Sequence, residues 1–182
     1  MIKEFFLFLF FIFVQIVLKP ITIKNVDPNQ PPLSDLGHKF IPEINSKYML
    51  ICDFILVFMF MILSIFVDSC DIFTDFFKKG SLLLFMRSIS ILLTDLPQLK
   101  AHLCFRNNNK DFNCTNDYMF SGHTSITLLI ALFIANANSY LYIPMVGIYV
   151  LQIFLILSTR MHYSIDVFIA TILTTLVYKL QM

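Results

Sequence analysis

Charge is scarce in this chain, and what there is nearly cancels. Of 182 residues only 14% are Asp, Glu, Lys or Arg, and the formal net charge is +1. No basic patch occurs, so nothing calls for a nucleic-acid partner and none is expected. Glycine is limited to four residues, and no Gly-rich phosphate loop is present. The four cysteines lack the paired spacing of a zinc site. Neither a metal nor an organic cofactor is expected. No internal repeat recurs, and no segment shows the strand alternation of a membrane barrel.

What fills the sequence instead is apolar. Hydrophobic residues make up 58% and aromatic residues 15%, against about 45–50% apolar in soluble domains. The mean hydropathy is +0.78. A chain this short has too much surface for its volume to hide that excess in a core, so lipid is the natural solvent. Six runs approach the roughly 20 apolar residues that a helical crossing needs. They are 5–18, 48–67, 81–96, 120–135, 140–158 and 163–180. They are expected to be helices, because backbone in hydrocarbon must satisfy its own hydrogen bonds. The expected fold is all-α, a single integral-membrane domain over 1–182 built as a six-helix bundle. The first run is read as an anchor rather than a cleaved signal, since no small-residue cleavage site follows it. The stretches "VDSCDIFTDFFKKGS" and "PQLKAHLCFRNNNKDFNCTND" read as linkers, and "NANS" as a tight turn.

A bilayer keeps ionisable groups only at some expense, so those within or near the runs are functional candidates. They are Asp53, Arg87, Asp95, His123, His162 and Asp166. The three aspartates lie near run ends, where an interfacial position also explains them. Arg87 falls near the middle of its run. His123 opens the fourth run, and His162 follows the fifth. The chain reverses at "NANS", which puts His123, His162 and Asp166 on one membrane face. The "PPLSD" loop and the end of the third run return to that face as well.

His162 and Asp166 are four apart, the spacing of neighbours on a helix face. A carboxylate beside imidazole fixes its tautomer and leaves the other nitrogen available as nucleophile or base. In "SGH", Gly122 allows close approach of a ligand, and free amides at a helix N-terminus favour phosphate. Ser121 offers a hydrogen bond and His123 a proton. A lone interfacial histidine is more often structural; it is the cluster that points to an active site. Ligation of zinc by His123, His162 and Asp166 is the rival reading, and Arg87 argues against it.

At these residues the chain resembles the sphingomyelin synthase family, within the lipid phosphate phosphatase superfamily. The resemblance is carried by "CTNDYMFSGHT" (114–124), "HYSIDV" (162–167), "PPLSD" (31–35) and "RSISILLTDLP" (87–97). "CTND" departs from the family's C-G-D by one inserted residue, which leaves the position of Asp117 open. Ser34 replaces a proline. The resemblance implies a transferase using His123, His162 and Asp166 as catalytic residues, with Arg87, Ser121 and Gly122 on the phosphate. Asp117, Tyr163, Arg160 and Asp35 would support them. It further implies transfer of a phosphocholine or related head group from phosphatidylcholine or phosphatidylethanolamine to ceramide, releasing diacylglycerol, through a phosphohistidine. The alternatives are a lipid phosphate phosphatase, and a non-catalytic lipid binder or scramblase. A homo-oligomer is compatible with this reading.

The family would set the catalytic face in the lumen or outside, in the Golgi, endoplasmic reticulum or plasma membrane. The loops disagree. Lys19, Lys24, Lys39, Lys47, Lys100, Arg106, Lys110 and Arg160 fall on the catalytic side, against Lys3, Lys78, Lys79 and Lys179 opposite. That balance runs counter to the positive-inside rule. On an oxidising side Cys104 and Cys114 could pair as a disulfide, and two free thiols are the alternative.

Overall fold

In a computed structural model, residues 1–23, 31–67, 69–94, 96–97, 99 and 119–181 are described. They form seven α-helices and no strand: α1 (Ile2–Ile23), α2 (Leu36–Phe40), α3 (Met49–Phe66), α4 (Cys70–Leu93), α5 (Gly122–Ala137), α6 (Tyr142–Ser158) and α7 (Ser164–Lys179). Each helix except α2 overlaps one of the six apolar runs. Among the described residues, two stretches are long and apolar enough to cross a membrane, Met49–Phe66 and Ser139–Ser158. The surface agrees with a helical membrane protein. Ile143 and Leu93 are each 80% exposed, and most of α3 is bare apolar side chain, with Cys52, Met59 and Leu63 buried. Such a surface is stable against lipid and not against water.

One linker expected from the sequence is helix instead. α4 begins at Cys70 and takes in nearly all of "VDSCDIFTDFFKKGS". The polar residues hid an amphipathic pattern. Ile72, Phe73, Phe76 and Phe77 form an apolar stripe, while Asp75 and Lys79 close an i,i+4 ion pair at 2.7 Å. Phe8 of α1 packs against Phe76 and Phe77, at ring-centroid distances of 5.9 and 5.6 Å. Gly80 makes this possible, since a Cβ there would lie 2.7 Å from the Phe8 ring. The "NANS" segment does reverse the chain. α5 ends at Ala137, and the Asn138 side chain caps the following turn by accepting from Tyr140 N at 3.1 Å.

α5 is the central post and packs against α3, α4, α6 and α7. Leu129, Ile130 and Ile134 are fully buried there. α1 lies against α4. Burying these side chains contributes about 1.5–3 kcal/mol each relative to water, and less relative to lipid. Packing and interhelical hydrogen bonds therefore decide the arrangement. Lys79 supplies one at the end of the bundle opposite the site. It donates to Tyr178 O at 2.9 Å, in the last turn of α7, where a cation complements the helix dipole.

Candidate active site

A cavity of about 770 Å³ opens among α1, α3, α4 and α5. Its polar residues are Arg87, Gly122, His123, His162, Asp53 and Gln15, gathered toward one end of the helices. Its remaining wall is apolar and runs along α1 from Phe5 to Ile16 and along α3 from Met49 to Met61. Eleven residues of helix correspond to about 16 Å. That is about half the hydrocarbon thickness of a bilayer.

The local sequence explains how each polar group arrives there. Ser121 caps α5, its Oγ accepting from Thr124 N at 3.2 Å. This cap starts the helix just before Gly122 and His123, at the positive end of the helix dipole. Arg87 lies against that end. Its Nε donates to Phe120 O at 3.0 Å, and a Cβ on Gly122 would come within 3.2 Å of the same Nε. The guanidinium also donates through Nη1 to Gln15 Oε1 of α1. Gln15 in turn donates to Leu84 O at 3.0 Å and to Ser88 Oγ. Two of the acceptors around this buried guanidinium are thus neutral, Gln15 Oε1 on α1 and Phe120 O just ahead of α5, and they help meet its need for hydrogen bonds away from water.

His123 reaches Asp53 of α3, with Nε2 to Oδ1 at 2.8 Å. The carboxylate fixes which ring nitrogen faces it and leaves Nδ1 for the other role. His162 faces Asp166, with Nδ1 to Oδ2 at 3.5 Å. The pair does not meet as neighbours along a helix face. His162 lies in the turn ahead of α7, and Asp166 is the third residue of that helix. Asp166 also accepts from Tyr163 N at 3.1 Å, completing a capping box, so one carboxylate caps α7 and faces the imidazole. His162 is 4% exposed and Asp166 fully buried. Ser121 N donates to Asp166 O at 3.3 Å, which ties the start of α5 to the start of α7.

The remaining sequence candidates fall elsewhere. Ser121 is fully buried as a helix cap and does not line the cavity. Tyr163 and Asp35 border a second groove of about 430 Å³ with Leu33, Leu96, Ser164 and Phe168. There Tyr163 Oη accepts from Leu33 N at 3.2 Å and donates to Pro97 O at 2.8 Å. Arg160 ends α6 in the left-handed region, with φ of 58°. Met161 N bonds Ile156 O and Arg160 N bonds Leu157 O, a Schellman ending in which glycine is the usual residue. Its side chain donates to His38 O and Ile41 O, both at 3.0 Å, and not into the cavity. Asp95, Cys104, Cys114 and Asp117 lie outside the described residues.

Asp35 organises the loop between α1 and α3. Its Oδ2 accepts from Ser164 N at 2.7 Å, and its Oδ1 from Ser164 Oγ at 2.6 Å and His38 N at 2.9 Å. Burial pushes its carboxyl up, but the bonds from Ser164 and His38 outweigh that and leave it below the ordinary carboxylate value. Burial also holds the His38 imidazole below its ordinary value, against the pull of Asp35.

Three participants were not singled out for these roles from sequence: Gln15, His38 and Asp53 as partner of His123. Asp53 and Gln15 did carry a signal, as polar side chains in otherwise apolar runs. Among the described residues no group of three His, Cys, Asp or Glu side chains could hold a metal ion. The arrangement is two imidazoles, each facing a carboxylate, beside an arginine and a helix N-terminus, over an apolar slot. It suits chemistry on a lipid phosphate. No curated protein is found to match the chain. Residues 113–182, which hold His123, His162 and Asp166, match the family model described as PAP2 superfamily C-terminal, and this similarity supports a membrane protein of the lipid phosphate phosphatase superfamily with phosphatase or phosphotransferase chemistry.

Proposed function

We propose that this chain is an integral-membrane phosphotransferase of the sphingomyelin synthase type. It moves a phosphocholine or related head group from a glycerophospholipid to ceramide and releases diacylglycerol. The observation that carries this reading is the cavity itself. His123, His162, Arg87 and Gly122 line one end of it, and the rest is an apolar slot about one leaflet deep. In this reading all six long helices cross the bilayer, and the reactive end faces the lumen or the outside, in the Golgi, endoplasmic reticulum or plasma membrane.

The chemistry divides between the two imidazoles. His162 Nδ1 is turned to Asp166, so Nε2 attacks the phosphorus of the glycerophospholipid. A nitrogen–phosphorus bond forms, and the bond from phosphorus to the diacylglycerol oxygen breaks. His123, oriented by Asp53, gives that oxygen its proton. It then takes the proton from the primary hydroxyl of ceramide, whose oxygen attacks phosphorus. The nitrogen–phosphorus bond breaks and His162 is regenerated. Acid–base help of this kind contributes about 10²–10⁴ in rate. Arg87 and the amides at the start of α5 offset the charge on the equatorial oxygens in a dry site. Asp166 holds His162 in place and stabilises the positive charge that develops on it.

The test is to supply fluorescent ceramide to membranes containing the protein and to identify products by mass. A fluorescent phosphosphingolipid is the expected product, lost in His162→Ala at equal protein level. Release of inorganic phosphate from phosphatidate instead would make water the acceptor and the enzyme a phosphatase. Lipid movement without turnover, unchanged by His162→Ala, would replace the enzyme with a lipid carrier.

A further inference from the structure

His162 does not stand on its own helix. It lies in the turn 159–163 between α6 and α7, and its exact setting depends on what holds that turn. One segment from far back in the chain, residues 33–44, packs along this turn. His38 Nε2 is 3.0 Å from the carbonyl oxygen of His162. A carbonyl only accepts, so Nε2 carries the hydrogen and Nδ1 faces Asp35 Oδ1, 3.8 Å away. The His38 ring also stacks on Tyr163, with centroids 5.9 Å apart and planes at 28°. On the next residue, Asp35 takes both the N–H and the hydroxyl of Ser164. Gly37 N donates to that same hydroxyl at 3.1 Å. Arg160 grips His38 O and Ile41 O from the other side, and Ile44 N closes onto Ser158 O at 3.0 Å. Every residue from 162 to 164 is therefore bonded or stacked by the segment, and within the segment His38 contacts His162 through its carbonyl oxygen.

We propose that His38 is a positioning residue for His162, acting through the carbonyl bond and the Tyr163 stack to set the direction of the nucleophilic imidazole. The proposal rests on the reading of His162 as nucleophile. His38 does not border the cavity, so it touches neither phosphate nor leaving group. Its effect passes through the His162 backbone. Misplacing a reacting group by about 1 Å can cost 100-fold in rate, and a hydrogen bond that fixes the turn prevents that.

The test compares the full chain with His38→Ala and His38→Gln in membranes. Gln keeps a donor where Nε2 lies, and Ala removes it. Head-group transfer is measured as kcat and KM. In parallel, carbethoxylation of His162 by diethyl pyrocarbonate is followed by peptide mass. For His38→Ala we expect kcat down by about 10–100-fold with KM within about twofold, since the lipid-binding wall is untouched. His162 should label several-fold faster in that variant, and His38→Gln should restore both. Wild-type kcat and wild-type labelling in His38→Ala would overturn the proposal. So would equal losses in the Ala and Gln variants, which would make His38 a packing residue. If the wild-type protein turns over no lipid, the reading of His162 as nucleophile falls, and the labelling rates alone decide whether His38 sets its position.

Discussion

His123 Nε2 lies 2.8 Å from Asp53 Oδ1, although 70 residues separate them in the chain. Asp53 enters from the first turns of α3 and His123 from the first turn of α5, two helices in direct contact. The pair gives His123 an orienting carboxylate, as Asp166 does for His162, and in the proposed reaction His123 carries the proton. Asp53→Asn keeps the shape and removes the charge. We expect lipid turnover to fall by about 100-fold or more, with the protein still inserted and folded. Steady-state kinetics on membranes with matched protein levels checks this. Unchanged kcat in Asp53→Asn would detach the carboxylate from the chemistry.

Gly37 of the loop packs against Ser164 of α7 with no room for a side chain. A Cβ on Gly37 would lie 2.1 Å from Ser164 Oγ, and that hydroxyl is fixed by Asp35. Gly37→Ala should therefore destabilise by about 1–3 kcal/mol through overpacking. Ser164→Ala removes the blocking oxygen and loses two hydrogen bonds, one from Gly37 N at about 0.5–1.5 kcal/mol and one to the Asp35 carboxylate at about 1.5–3 kcal/mol. The double variant should be more stable than the sum of the two predicts, because the 2.1 Å clash is gone and only the tight contact to Ser164 Cβ at 3.3 Å remains. Thermal melts of the four proteins in detergent measure the coupling, and strict additivity would mean that the two residues do not meet.

Gln15 links α1 to the arginine of the site. Gln15→Leu keeps the volume and removes the acceptor from a buried guanidinium. A hydrogen bond to a charged group contributes about 1.5–3 kcal/mol, and the loss should appear as a lower melting temperature. It should also raise KM for the phospholipid, because Arg87 is no longer held beside Gly122. A variant with wild-type melting and kinetics would show that α1 takes no part in the site.

How much of this was visible beforehand follows from distance along the chain. Six apolar runs announce helices because hydrocarbon permits little else, and all six are helical here. The pairing of His162 with Asp166 is local, so a spacing of four was enough to raise it. The geometry that joins them, a capping box, needed the helix start at Ser164 to be known. The helical start of α4 was missed because Asp71, Asp75, Lys78 and Lys79 look like a loop until α1 covers the opposite stripe. Gln15 with Arg87, Asp53 with His123 and His38 with His162 span 72, 70 and 124 residues. No local pattern encodes such pairs; they are products of helix packing.

Acid should loosen the loop that carries Asp35 and His38. His38 has a value below the 6.5 of a free imidazole, so its contribution is complete above 6.5 and is lost as pH falls from there through the folded value. The groups around it are Asp35, Glu43 and Arg160. Asp35 lies below 3.8, so its share survives to lower pH and goes as pH falls through its own folded value. Both effects have the same sign. Amide hydrogen-exchange protection of residues 36–44 should be constant above about pH 7 and decline stepwise below it. Protection that rises on acidification would reverse the assigned direction.

The central claim is that His162 takes up the head group covalently. The direct measurement is rapid acid-free quenching of the protein with head-group-labelled phosphatidylcholine, followed by peptide mass analysis. We expect a phosphocholine adduct on the peptide carrying His162. It should accumulate when ceramide is withheld, disappear when ceramide is added, and be absent from His162→Ala. Turnover that persists in His162→Ala, or an adduct on any other residue, would contradict the account.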